Sequence, residues 1–448
     1  MKYISLNDGQ KPYSWALWIP TFWYMIACSR TVGHWLHPRA LRRGELSALE
    51  YLEGSPVDRH VLLVLIVMAL LVLTGRLWGK WGAFFYENRL LIMLFAFMAV
   101  SILWSPFPMV SIKRWVKATG ALLMVMVVLT ERDPTAAVVG LFKRTFMVLL
   151  PLSVYFIKYA RDLGVAWSKD GSGAMWVGVT THKNHLGQVC MTAGIFFLWC
   201  LLNRDEGGNP WINGAFLALT VFLMNGPGYS RSTSALVVLA AGGALLVGFH
   251  FVKDRPERIR SLIFGGSAAL IVVVLAVHLG LAGLAGRSIY GAGVGALGKD
   301  TTLTGRTELW ADIIDIGMKK PLTGVGYGSF WLGDLGNDLW EKHIWKPGQG
   351  HNGYVDTFVE VGFPGLFLLI GVLFTALVRS TREIIHRYSF IQLTVVYLVM
   401  IIVHNFTESS YLRGEHNLWF LFLLVAVGTT FMSGPTPNPR QSISPARD

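Results

Sequence analysis

The chain has 448 residues, 53% of them hydrophobic and only 15% charged, with a mean hydropathy of +0.48. That balance excludes a soluble multidomain protein and fits a polytopic membrane protein. The basic excess, 39 Lys and Arg against 27 Asp and Glu for a net +12, is read through the positive-inside rule and anionic lipid or substrate rather than as nucleic-acid binding.

Several apolar runs match the roughly 20 helical residues needed to cross a hydrocarbon core of about 30 Å. They fall near 15–36, 59–78, 89–105, 115–131, 137–160, 186–202, 211–228, 232–252, 261–284, 354–379, 391–407 and 417–433. The reading is therefore an all-α polytopic fold of about twelve transmembrane helices: nine within 1–284, a large loop with short helices at 285–353, and three within 354–433. The first residues, MKYISLNDGQKPYS, lack the apolar core of a cleavable signal peptide, so none is expected. The Pro- and Ser-rich stretch 434–448 reads as a disordered cytoplasmic tail. Cys28, Cys190 and Cys200 lie in or beside apolar runs and read as small hydrophobes.

Two segments rich in Lys and Arg, Lys253–Arg260 and Arg379–Arg387, set the orientation. Placed in the cytoplasm, they put both termini there and turn the 285–353 loop outward. Arg39, Arg42 and Arg43, between the first two spans, argue against this count, and Pro20 and Arg30 interrupt the first span.

The stretch from Thr301 to Gly365 is the longest departure from hydrophobic sequence, and a polar passage of that length is expected to be functional. Just before it, Gly293–Lys299 (GVGALGK) satisfies G-x-G-x-x-G, but Asp300 replaces the hydroxyl that a phosphate loop needs, so nucleotide binding is not expected. Thr304–Pro321 reads as one amphipathic helix with Leu309, Ile313 and Ile316 on a face, stopped by Pro321. Arg306 sits at its amino-terminal end, where a cation gains nothing from the helix dipole and a bound anion explains it. Gly324, Gly326 and Gly328 read as turn or close-packing glycines.

Other polar positions lie at span boundaries. Arg231, in the turn NGPGYSRSTS, has no acidic neighbour within several positions and suits a phosphate-bearing lipid, because guanidinium binds phosphate bidentately. Snorkelling to the interface is the plain alternative. Lys183, in THKNHLGQ, adds positive charge beside it, whereas His182 and His185 lack the companions of a zinc site. Glu408, Arg413, Glu415 and His416, in the last loop, read equally as ordinary loop polars or as an acceptor rim. No D-x-D, G-x-S-x-G or H-E-x-x-H occurs, and neither a metal nor a cofactor is expected.

His351-Asn352, nine residues, then Gly362-Phe363-Pro364-Gly365 matches the H-[NSQ]-x9-G-x-x-[GTY] signature. With TGRTELW, PLTGVGYGSF, KNHLGQ and SRST, it resembles the O-antigen ligase and exopolysaccharide polymerase superfamily of membrane glycosyltransferases. The resemblance covers roughly residues 180–431. It implies a bacterial inner-membrane enzyme that moves a glycan, on the periplasmic face, from a polyprenyl-diphosphate carrier to a sugar hydroxyl. The acceptor is another glycan, in a polymerase of exopolysaccharide or O-antigen repeats, or a lipid A core, in a ligase. A chain-length regulator protein is a candidate partner, and a flippase of lipid-linked sugars is the competing class. The residues suit the chemistry independently. His351 is the candidate general base, with Asp356 or Glu360 to orient or replace it; capping of the following helix is the plain alternative for His351. Arg231, Arg306 and Lys183 are the candidates to hold the diphosphate without metal.

Overall fold

Prolines and short polar caps set where the helices begin. Pro56, Pro108, Pro134 and Pro210 open four of them, at the position where a missing N–H costs no hydrogen bond. Ser55, Asp133 and Asn209 cap three of these, and Ser55 closes a reciprocal box with Asp58. The computed structural model describes residues 12–37, 55–77, 81–167, 173–226, 232–253, 255–261, 263, 265, 268, 303–343, 346–383 and 388–431. Its main helices are α1 (Trp18–Ala27), α2 (Pro56–Arg76), α3 (Arg89–Val100), α4 (Pro108–Leu129), α5 (Pro134–Tyr159), α6 (Lys183–Leu202) and α7 (Pro210–Met224). There follow α8 (Thr233–Val252), α9 (Leu303–Gly317), α10 (Gly333–Lys342), α11 (Gly353–Glu383), α12 (Tyr388–His404) and α13 (Asn417–Phe431).

Among the described residues, five helices are long and apolar enough to cross a membrane, and six if the bent pair Trp81–Glu87 and Arg89–Trp104 is one broken span. The protein is thus an α-helical, multi-pass membrane protein. The count of twelve is a finer matter, since most of the expected span 261–284 lies outside the described residues. So do the GVGALGK segment and Arg231.

The all-α expectation has one exception, and it comes from Arg30. The expected span 15–36 is broken: α1 ends at Ala27, and a separate short helix runs Val32–Leu36. Between them Arg30 is buried, and its guanidinium donates to the carbonyls of Gly178 and Thr180 at 3.1 Å and to that of Leu163. A buried cation needs acceptors. Here they come from the α5–α6 connection, which folds into an antiparallel hairpin of β1 (Val165–Trp167) and β2 (Ala174–Trp176) with Val165 opposite Trp176.

Packing separates inner helices from outer ones. Along α12, every residue from Phe390 to His404 is buried, and α6 packs between α7 and α8. On α2, by contrast, Leu63, Val64, Val67, Met68 and Leu71 are exposed. An apolar face of that kind is what a bilayer covers.

The hydrogen bonds between elements sort the bundle into two ends. One end joins Gly33 to Asp58, Tyr327 to Ser101, Asn184 to Glu408 and Gly353 to Asn405. The other joins Arg76 to Glu131, Lys143 to Gly207, Trp199 to Ser389 and Arg379 to Glu87. The described residues of the two basic segments, 253, 255–260 and 379–383, follow α8 and close α11, so they belong to the second end. The polar stretch around His351 belongs to the first.

Candidate functional site

A break in α11 shapes the site. Val361 and Gly362 leave the helical conformation, Gly362 at φ +66°, and Pro364 follows with no N–H to offer. The freed carbonyls of Val359 and Glu360 accept hydrogen bonds from the N–H groups of Val325 and Gly326, each 2.9 Å, while Phe363 N–H donates to the Pro321 carbonyl at 2.8 Å. The glycine-rich loop therefore docks into the helix break. Its glycines serve the close packing expected of them: Gly326 has φ +116°, and a Cβ there would meet the Ser105 backbone at 2.7 Å. Below it, Leu309 and Ile313 of α9 are buried with Val325, Phe330 and Val359. α9 is thus amphipathic as expected, with its apolar face packed on protein.

Glu408 is the hub of the first cluster. It is buried in the α12–α13 loop and accepts from four side chains or nears them. His351 Nδ1 lies 2.8 Å from its Oε2, and Gln349 Nε2 lies 3.1 Å from the same oxygen. Asn184 Nδ2 lies 2.8 Å from Oε1, and Arg306 Nη2 is 3.6 Å from it. Burial alone would push this carboxyl up. The hydrogen bond and charge of His351, followed by the charge of Arg306, outweigh that and hold it at about 2. In the neutral tautomer that an ionised carboxylate on Nδ1 favours, the ring proton sits on Nδ1 and the lone pair on Nε2. His351 itself has φ +48°, a conformation that a non-glycine residue holds only where its surroundings impose it.

Asp356 and Glu360 have other partners. Gly350 N–H donates to both oxygens of Asp356 at 3.0 and 3.1 Å, and Arg413 Nη2 reaches Oδ2 at 3.2 Å. Asp356 thus braces the residue just before His351. Glu360 Oε2 accepts from Gly328 N–H at 3.1 Å. The carboxylate at His351 Nδ1 is that of Glu408, with Gln349 Nε2 3.3 Å from the same nitrogen.

Arg413, the partner of Asp356, also lines a cleft of about 420 Å³. Lys113, Arg114 and Lys117 line it from the first turns of α4, and Arg413 lines it from the last loop. Tyr327, Trp331 and Trp340 supply aromatic walls, and Glu360 and Glu415 supply the acids. Lys117 pairs with Glu415, and Arg114 donates to the Gly328 carbonyl. Guanidinium and ammonium groups pair with phosphate, and aromatic faces pack against apolar surfaces.

The remaining expected residues lie apart in part. Arg306 joins the His351 cluster, donating to the Thr407 carbonyl at 2.8 Å. Lys183, the first residue of α6, lines a small pocket with Ser232, the residue after Arg231. His182 caps α6, accepting from Asn184 N–H, while His185 turns its Nε2 to the Ala27 carbonyl at 3.0 Å.

Fold and site together define an α-helical membrane protein with a polar, cation-rich site at one end of its bundle. A family model described as O-antigen ligase matches residues 214–370. An exopolysaccharide production protein, ExoQ of Rhizobium meliloti (strain 1021), is 28% identical over 356 residues, covering 76% of this chain and 77% of that protein. Both findings support the family that the His351 signature resembles, the O-antigen ligase and exopolysaccharide polymerase superfamily. The range matched by the family model includes Arg306, His351, Asp356 and Glu360, while Glu408, Arg413 and the cations of α4 lie outside it.

Proposed function

We propose that the protein is a glycosyltransferase of the bacterial inner membrane that polymerises lipid-linked polysaccharide repeats at the end of the bundle holding Glu408. That end faces the periplasm in this reading, and the two basic segments at the opposite end face the cytoplasm. The observation that carries the reading is the His351–Glu408 pair, linked through Gly350, Asp356 and Arg413 to a cleft of fixed cations.

The acceptor hydroxyl gives its proton to His351 Nε2 as its oxygen attacks the anomeric carbon of the donor sugar. The bond from that carbon to the carrier diphosphate breaks, and its electron pair leaves with the diphosphate. Glu408 stabilises the imidazolium that forms, as a buried carboxylate does for a catalytic histidine. Cations already fixed in place, Arg413 and the α4 residues of the cleft, stabilise the departing charge, with Arg306, Lys183 and Arg231 as the further candidates.

The named relative makes exopolysaccharide production the preferred role. The family description keeps ligation onto a lipid A core as the second reading. The test is purified protein given a polyprenyl-diphosphate-linked repeat. Growth of a repeating chain on the carrier supports the polymerase. Transfer that occurs only onto added lipid A core makes it a ligase, and binding without any bond formation removes the enzyme reading.

A further inference from the structure

A second cavity, of about 300 Å³, lies at the opposite end of the bundle between α3 and α11. We propose that it binds the phosphate of an anionic phospholipid headgroup, held between Arg89 and Arg379. The two guanidinium-bearing residues line one concavity from different helices. Among the described residues, Glu87, Arg382 and Arg89 are the charges that act on Arg379. Part of the hydrogen-bonding capacity of Arg379 is already committed to the Glu87 carbonyl, which fixes the fork before any ligand arrives. Guanidinium matches phosphate bidentately and keeps its charge at any working pH.

The rest of the cavity suits a lipid better than a free ion. Leu91, Val372 and Ala376 line it and are buried, an apolar floor for the glycerol and the first acyl carbons. Its rim is a break of 90° between Trp81–Glu87 and the helix that follows. A right-angle turn beside a spanning helix lays the short segment along the membrane surface. That segment, WGAFFYE, is aromatic in four of its seven residues, as helices at headgroup depth tend to be. Tyr86 also stacks under the Arg89 guanidinium, 5.7 Å from centroid to Cζ. A merely snorkelling arginine needs neither a partner arginine nor a cavity.

The proposal is independent of the glycan chemistry, and its test uses binding alone. Full-length protein in neutral detergent is offered phosphatidylglycerol or phosphatidylcholine, and retained lipid is counted by native mass spectrometry. The wild type should retain one phosphatidylglycerol in preference to phosphatidylcholine. Arg89→Gln with Arg379→Gln should lose about tenfold or more of that retention. Arg255→Gln, an exposed arginine at the same end, should retain it in full. A thermal-unfolding midpoint confirms that each variant is folded, and Arg379→Lys, with charge but no fork, replaces the double variant if that fails. Equal retention of both lipids overturns the proposal, as does an equal loss in Arg255→Gln. Stabilisation by inorganic phosphate that depends on Arg89 and Arg379, without discrimination between lipids, assigns a free anion and overturns it too.

Discussion

His351 Nδ1 and Glu408 Oε2 lie 2.8 Å apart across 57 residues of sequence. If the pair works as base and orienter, the two partners fail differently. His351→Ala and His351→Gln should each insert and fold, yet lose about 10²-fold or more in transfer, because neither accepts a proton. Glu408→Gln should lower turnover with little change in acceptor KM, since it disturbs the tautomer of the base and not the binding of sugar. Steady-state transfer with purified variants gives the split. Full activity in His351→Gln would reduce the histidine to a positioning role.

The same pair dictates an acid response. Glu408 is held at about 2, below its ordinary value, so its contribution to stability is present at neutral pH and is lost only as pH falls through that range. His351 supplies the first effects that oppose burial. His351→Gln should therefore raise the Glu408 carboxyl toward its unfolded value, so the variant should be less stable than wild type at neutral pH and lose less further stability on acidification. Thermal-unfolding midpoints across pH 3 to 8 check this, and superimposable acid limbs would count against it.

How much of this was legible in sequence follows from where the partners sit. Arg306, the three glycines and His351 share one contiguous polar stretch, and the helix with Leu309 and Ile313 inside it repeats at helical spacing. Glu408 and Arg413 read in sequence as loop polars or an acceptor rim, because nothing local says that a loop 57 residues on folds against His351. Asp356 and Glu360, on adjacent turns, looked like natural partners of that histidine, yet the helix break turns Glu360 to Gly328, and Arg413 takes Asp356. Lys113, Arg114 and Lys117 sit at the edge of an apolar run, where no motif singles them out. Their signal was there: three cations at a boundary counted as external run against the positive-inside rule.

The helix break should tolerate no side chain at Gly362. Its φ is +66°, and a Cβ would stand 2.7 Å from the Leu322 backbone carbon. Gly362→Ala adds both strain and a clash with backbone that cannot rotate away, together about 1–3 kcal/mol or more. Folded yield and thermal midpoint should fall. Gly75→Ala, where a Cβ meets nothing within 4 Å, should change neither. A stable, active Gly362→Ala protein would mean that the loop does not dock as described.

Orientation is checked with reporters. Fusions after Gly298 and Gly350 should report the periplasm, and one after Arg387 the cytoplasm, because the basic segments and the Glu408 cluster occupy opposite ends of the bundle. A cytoplasmic signal at Gly350 would remove the proposed site from the face where its donor is presented.

The last expectation concerns the cations, which fall into two groups. Arg306 is tied to Glu408 and the Thr407 carbonyl, whereas Lys113, Arg114 and Arg413 line the cleft. If the cleft holds the carrier diphosphate, Arg114→Gln and Arg413→Gln should weaken donor binding and slow transfer together, because bound donor and leaving group are both anionic. Each should cost about tenfold or more in affinity, and their combination should be less than additive if they grip one diphosphate. Arg413→Gln should also loosen Asp356 and with it Gly350, so its loss in turnover should exceed its loss in affinity. Arg306→Ala should behave like a defect of the Glu408 cluster, with turnover reduced and donor affinity largely kept. Binding of a polyprenyl-diphosphate analogue to the purified variants, measured beside turnover, separates the two groups. Unchanged donor affinity in both cleft variants, with a loss in Arg306→Ala, Arg231→Ala and Lys183→Ala, would move the diphosphate to the α6 side and leave the cleft to the acceptor.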